Sequence, residues 1–345
     1  MSQSTPVALE KSVPPDAPLL SVQNLQVEFS TSAGVVRALD GVSFDVRRGE
    51  TIAILGESGS GKSVTAQAIM ALLPRPAGSI VGGSIRYADR DLVTLPAKDV
   101  RRLCGTEIAM IFQDPLSSLN PVFRVGWQIA EPFRRRLGID KRQALAKALE
   151  LLDRVGIPDA ERRIRDYPHQ FSGGQRQRIM IAMAIALEPK LLIADEPTTA
   201  LDVTVQSQVM KLLANLQAET GMGMILISHD LGVVADVAKR AAIMYAGRIV
   251  EAGTIREVYD HPAHPYTRGL LESIPSTTVI GERLTPIPGG PPNLLALPTG
   301  CAFHPRCPHA IDRCRDEIPQ LRRPDGWEPT HVAACFRSEE VLAHD

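Results

Sequence analysis

Eight consecutive residues, Gly56-Glu57-Ser58-Gly59-Ser60-Gly61-Lys62-Ser63, have the composition and spacing to hold a polyphosphate. They fit the P-loop pattern G-x-x-x-x-G-K-[ST]. Its glycines let successive N–H groups converge on one point, and the helix that follows adds the positive end of its dipole. In such a loop Lys62 reaches the β- and γ-phosphates, and Ser63 offers a hydroxyl to Mg²⁺. A carboxylate pair, Asp195 and Glu196, ends the apolar run at residues 191–194. Asp195 is placed to serve the magnesium. Glu196, aimed differently, is placed to polarise an attacking water.

A third set is sulfur. Cys301, Cys307, Cys314 and Cys335 cluster near the end of the chain, without a Cys-x-x-Cys pair. In a chain read as cytosolic, clustered thiols point to metal more than to disulfides. The missing short knuckle favours an iron–sulfur cluster over structural zinc. Zinc, with His304, His309 or His331 as substitute ligands, and free buried thiols are the alternatives. Cys104 stands alone and reads as a small apolar filler.

Positioning these groups requires particular elements. Residues 20–29 and 42–46 alternate as half-buried strands, and 51–55 is nearly all apolar, as in a strand covered on both faces. A helix follows the glycine-rich turn over about 61–73. Further strands are expected at 107–112, 191–195 and 223–228, with helices at 141–155 and 203–219. Strands alternating with helices indicate an α/β fold with a parallel sheet. The charged, mostly helical stretch at 120–170 reads as an insertion, and Arg134-Arg-Arg136 within it as a solvated helix face. Thirteen of the 27 prolines fall between Pro262 and Pro329. That density forbids long helices and central strands, so a boundary is expected near 255–262.

The chain has 345 residues, 44% hydrophobic and 22% charged, with a formal net charge of -1. This excludes disordered and collagenous classes and gives no global attraction to nucleic acid. No uncharged apolar run approaches the ~20 residues of a membrane helix. Residues 1–18 read as a mobile tail without the features of a secretory signal.

Phe171-Ser172-Gly173-Gly174-Gln175 lies between the loop and Asp195. With the P-loop, this string resembles the signature of the ATP-binding subunits of ABC transporters, usually Leu-Ser-Gly-Gly-Gln. Other landmarks fall in order. Gln113 stands where the family has its Q-loop, Ala200-Leu201-Asp202 resembles the D-loop, and His229 stands at the switch histidine. Phe29 stands where an aromatic stacks on adenine. The string His261-Pro-Ala-His-Pro-Tyr266, continuing to Pro275, resembles the C-terminal extension of the dipeptide, oligopeptide and nickel import group, D-type subunits above all.

That resemblance implies a P-loop NTPase domain over 19–258, with a helical subdomain at about 115–175. It implies a small Cys- and Pro-rich extension over 259–345. Two such chains would sandwich ATP, with Ser172, Gly173, Gly174 and Gln175 of one capping the γ-phosphate held by the other. Gln113 would join Ser63 and Asp195 around Mg²⁺, and His229 would steady the γ-phosphate. The four cysteines would carry a [4Fe–4S] cluster. Implied partners are a related but distinct ATPase chain, two membrane permeases and an extracytoplasmic substrate-binding protein, with no nucleic acid. The place of work would be the cytoplasmic face of the membrane.

The expected function is ATP hydrolysis that energises import of di- or oligopeptides, with nickel or glutathione as alternative cargoes. A soluble ABC ATPase acting on DNA or ribosomes is a second class. Against it, the stretch between Lys62 and Ser172 lacks sustained heptads, and the chain has a single cassette. A redox-sensing regulator built on the cluster is a third.

Overall fold

The computed structural model describes residues 17–199, 201–273, 286–323 and 327–342. Most of the tail expected at 1–18, the D-loop's Ala200, and residues 274 and 275 of the import-group string lie outside them.

Leu20–Thr31 (β1) and Gly34–Val46 (β2) form an antiparallel hairpin. Thr51–Leu55 (β3) follows and leads into Lys62–Ile69 (α1). Next come Gly78–Tyr87 (β4), Arg90–Asp91 (β5) and Ile108–Ile111 (β6). The first two strands do not join the parallel sheet. With β4 and β5 they form a separate four-stranded antiparallel sheet, ordered β2-β1-β4-β5. The cause is the short turn between β1 and β2, which allows a hairpin but no crossover. Strand β4 was hidden in the sequence because Gly78, Gly82 and Gly83 break its alternation. Gly83 has φ +84 opposite a register shift in β1.

Among the described residues, four α-helices of eight or more residues lie between β6 and β8. They are Val125–Pro132 (α2), Lys141–Arg154 (α3), Gly173–Ile185 (α4) and Val203–Thr220 (α5). Leu191–Asp195 (β7) precedes α5, and Gly223–Ser228 (β8) follows it. Arg240–Tyr245 (β9) and Arg248–Thr254 (β10) come next. Residues beyond 258 supply Pro265–Glu272 (α6) and the short strand Val332–Ala333 (β11).

The larger sheet runs β11-β10-β9-β3-β8-β7-β6. Strands β9, β3, β8, β7 and β6 are mutually parallel, and β10 and β11 are antiparallel additions. Alternate residues of the parallel strands feed two cores. Leu55, Ile111, Ala194 and Leu226 face the helices. Ile54, Met110, Ile193 and Ile227 face the antiparallel sheet. Both faces are covered, so these strands are almost wholly apolar, with polar residues confined to their ends at Thr51, Asp195, Ser228 and Arg240.

The proline-rich tail shares this framework. Tyr266, Leu270 and Phe303 belong to the helix-side core, and β11 pairs with β10. The joint is one carboxylate. Glu251 on β10 has no solvent exposure and accepts from the N–H groups of Ala263 and His264, at 2.8 and 2.9 Å. Its Oε1 also lies 2.7 Å from His331 Nε2.

Candidate nucleotide site

The carboxyl ends of parallel strands are where ligands meet an α/β sheet. Here β3 delivers the glycine loop, β7 delivers Asp195 and Glu196, β8 delivers His229 and β6 delivers Gln113. The register sets Leu55 beside Ser228, Asp195 beside Ile227, and Ile111 beside Ala194.

The loop's glycines answer steric demands. A Cβ on Gly56 would sit 2.2 Å from the Met244 carbonyl oxygen, and one on Gly61 would sit 2.7 Å from Leu39 Cδ2. Gly61 caps α1 at φ +107 without a side-chain hydrogen bond, and among the described residues no side chain takes the N–H groups of the first turn. Lys62 Nζ donates to the Gly56 and Glu57 carbonyls, at 2.7 and 2.9 Å. Burial pushes its pKa down, opposed by Glu196, Asp195 and Glu57. Ser63 Oγ donates to Asp195 Oδ1 at 3.0 Å. Burial raises the Asp195 carboxyl, and the Ser63 hydrogen bond opposes the shift. A hydroxyl beside a buried carboxylate is an oxygen donor set that suits Mg²⁺.

Glu196 is the meeting point of the other predicted groups. Its Oε2 accepts from Gln113 Nε2 at 2.9 Å and lies 3.3 Å from His229 Nδ1. It also accepts from the Thr199 hydroxyl at 2.9 Å, a partner that no spacing rule marked. Glu196 has φ +45, a strained region for a non-glycine residue. The sheet thus brings Lys62, Ser63, Gln113, Asp195, Glu196 and His229 together.

The signature segment stands apart. Ser172 caps α4 through a capping box. Ser172 Oγ accepts the Gln175 N–H at 3.3 Å, and Gln175 Oε1 accepts the Ser172 N–H at 3.1 Å. Among the described residues no acceptor takes the N–H of Gly173 or Gly174. Phe171, in place of the family's leucine, is buried beneath the Arg163 guanidinium at 4.0 Å. Gly174 is required locally, since a Cβ would meet Val205 Cγ1 at 2.5 Å. Gly173 is not, since its nearest neighbour would be Leu201 Cδ2 at 3.7 Å. Asp202 caps α5 by accepting the Val205 N–H. Phe29 lies near the end of β1, inside the antiparallel sheet, and packs against Gly78 of β4. Ser58 and Gly59 are exposed at the loop's tip, and Ser60 is buried.

Glu57 makes contacts beyond the loop. Its carboxylate pairs with Arg306 and its N–H donates to the Tyr266 hydroxyl, both in the tail. Sequence spacing gave no sign of this contact.

The four tail thiols line one small cavity with Phe303 and Phe336. Burial pushes Cys307 up to about 11 and Cys335 up to about 12. Among the described residues, no group of three or more His, Cys, Asp or Glu side chains is arranged to hold a metal ion. His331 does not line that cavity, and its Nε2 lies 2.7 Å from Glu251 Oε1. His304 Nδ1 lies 3.0 Å from the Cys301 carbonyl oxygen. Cys104 packs at the border of the sheet-side core, as a filler should.

Comparison with known proteins agrees with this geometry. The ABC transporter family matches residues 39–199, and the oligopeptide/dipeptide transporter C-terminal region matches 250–314. The dipeptide transport ATP-binding protein DppD of Bacillus subtilis is 49% identical over 94% of this chain and 96% of its own length. The ATP-binding cassette MJ0796, solved as a dimer in a post-hydrolysis state with ADP and Pi, is 26% identical with a TM-score of 0.62. That match covers 69% of this chain and 99% of the cassette. CbiO1 of Clostridium perfringens, part of an ABC transporter complex, is 29% identical with a TM-score of 0.60 over 71% of this chain and 92% of its own. Among the described residues no helix is long and apolar enough to cross a membrane. With a relative this similar along nearly its whole length, the chain belongs to the ATP-binding subunits of ABC transporters, in the group that carries the oligopeptide/dipeptide C-terminal region.

Proposed function

We propose that the protein hydrolyses ATP to drive import of di- or oligopeptides through a membrane complex, working from the cytoplasmic face. The observation that carries this reading is the convergence of Lys62, Ser63, Asp195, Glu196, Gln113 and His229 at one sheet edge, beside an oligopeptide-type extension. Relatives named for dipeptide transport support the cargo class.

The loop amides and Lys62 hold the phosphates. Bound Mg²⁺ would neutralise phosphate charge, with Ser63, Asp195 and Gln113 as its holders. Glu196 orients the attacking water and accepts its proton, while His229 and Gln113 hold the carboxylate in place. Phe29 serves as the adenine platform. Ser172, Gly173 and Gly174 complete the site of a second ATPase chain, and Asp202 lies at the same seam. The dimeric cassettes among its structural relatives support that sandwich.

Residues 19–258 act as the ATPase domain, with the helices of about 115–175 as its inserted subdomain, and 259–345 as the extension. A groove of about 490 Å³ between α2 and α3, lined by Arg124, Trp127, Arg134, Lys141 and Leu145, belongs to that subdomain. Two permeases dock on this block and receive cargo from an extracytoplasmic binding protein. The four thiols, which line one cavity with His304 and His309, are the residues that would hold a [4Fe–4S] cluster, and their spacing without a Cys-x-x-Cys pair favours it over zinc.

One purification tests the reading. Drawn anaerobically from native membrane, the chain is expected to bring permeases and a second ATPase, and to contain iron and acid-labile sulfide. The Lys62→Ala chain should lose roughly 10²-fold in ATP affinity, the scale of a buried charge-assisted contact. Undiminished ATP affinity in that variant would remove the phosphate site. Absence of permeases would remove the transport role.

A further inference from the structure

Every functional group of Glu57 is in use, in two directions. Toward the nucleotide site, its carbonyl accepts from Lys62 Nζ at 2.9 Å and from the Ser60 N–H at 3.2 Å. Toward the tail, its N–H donates to the Tyr266 hydroxyl at 2.8 Å. Its carboxylate is gripped in bidentate fashion by Arg306, with Nη1 2.7 Å from Oε2 and Nη2 2.9 Å from Oε1.

The Arg306 side chain is only 7% exposed and is itself fixed. Its Nε donates to the Pro288 carbonyl at 2.9 Å, and Nη1 lies 3.4 Å from the Tyr245 hydroxyl. Tyr245, Tyr266 and Phe303 pack as an aromatic trio beneath it, with centroids 4.6 to 5.4 Å apart. A planar fork on a rigid base fixes the position and orientation of a carboxylate, which a surface ion pair does not. Beyond the clamp, Pro291, Pro292 and Leu294 flank Ser58–Ser60 across a cavity of about 290 Å³.

We infer that Arg306 and Tyr266 are positioning residues for ATP binding. By holding Glu57 from the tail side they fix the carbonyl that orients Lys62, and with it the shape of the phosphate loop. A tail that merely needed an anchor could take any surface carboxylate. This one takes the loop residue whose other groups hold the phosphate-binding lysine. Two of the three Lys62 donors are committed to loop carbonyls, so a shift of Glu57 moves the charge that a triphosphate meets. The inference rests on the ATPase reading above and adds a dependence of that site on the C-terminal extension.

The test uses the full chain, with MgATP binding by calorimetry and steady-state hydrolysis in the assembled complex. Arg306→Ala is expected to raise the ATP dissociation constant and KM roughly tenfold, the scale of a lost buried charge-assisted pair, while kcat changes less than about twofold. Arg306→Lys should recover part of the loss. Glu57→Gln should match Arg306→Ala, and the double variant should be no worse than either. Tyr266→Phe should give a smaller shift of the same kind. Wild-type affinity in Arg306→Ala, or a fall in kcat and thermal stability with KM unchanged, would overturn the inference. Should Arg306→Ala not fold, Glu57→Gln and Tyr266→Phe decide it by the same split. If Lys62→Ala also binds as wild type, the nucleotide reading itself has failed, which is a different result.

Discussion

Two glycine-rich helix starts in this molecule offer N–H groups to an anion, and they are built in opposite ways. Helix α1 begins at Gly61 without a side-chain cap, and its first residue, Lys62, is buried against the loop. Helix α4 begins at Ser172 with a closed capping box on an exposed surface. Neither first turn contains an acidic residue. The first site is walled by its own chain, where sheet, loop and a buried lysine surround the helix start. The second is a stable edge whose Gly173 and Gly174 N–H groups find no acceptor among the described residues. A helix start shaped to be met from outside differs from one shaped to enclose.

The sharpest way to break this contrast is at the enclosed site. Glu196→Gln keeps shape and hydrogen-bonding capacity but removes the base. Hydrolysis should fall by at least about 10²-fold, the range for general-base loss, with ATP still bound. Turnover at the wild-type rate would take Glu196 out of that role.

Gly173→Ala probes the open edge. Nothing within 3.4 Å in its own chain opposes a Cβ there, so folding should hold or improve by up to about 1 kcal/mol. ATP binding to the single chain should stay unchanged, while hydrolysis by the paired complex should drop roughly tenfold, about 1.4 kcal/mol of barrier. Normal complex activity would mean the edge meets nothing.

A third helix start is read through pH, and just below about pH 6.5 its effect is the smallest of the three. His264 caps α6 by accepting the Tyr266 N–H on Nδ1, and its full burial pushes its pKa down to about 3. Unfolded histidine titrates near 6.5, so below that pH the unfolded chain binds a proton that the folded chain refuses. Stability therefore falls as pH drops from about 6.5 toward 3, by at most about 1.4 kcal/mol per pH unit. His264→Asn keeps an acceptor without that proton, and its acid unfolding midpoint should move to lower pH. Superimposable acid melting curves would show that His264 contributes nothing to acid sensitivity.

How legible these regions were follows from the same physics. The phosphate loop could be read because backbone geometry leaves no choice at Gly56 and Gly61, where a Cβ would strike a carbonyl oxygen or a leucine. Strands β3, β7 and β8 could be read because burial on both faces makes them apolar over nearly their whole length. Gln113 and His229 came from resemblance, since a polar residue at a strand end carries little signal alone. The antiparallel sheet was missed because its third strand is broken by glycines. The two-residue strand β11 is too short to register, and Thr199 is one hydroxyl among many. Arg306 could not be found, because its partner Glu57 lies 249 positions away and no local period links them.

Glu251 has a consequence for anyone who would shorten this polypeptide. Trimming it after residue 258 would preserve each sequence hallmark of an ATPase. It would also strip Ala263, His264 and His331 from a carboxylate that water does not reach. The same cut removes Tyr266, Leu270 and Phe303 from the helix-side core, and losing one buried aromatic alone costs about 3–5 kcal/mol, much of what holds an average domain together. The trimmed product would be a cracked half rather than a minimal engine.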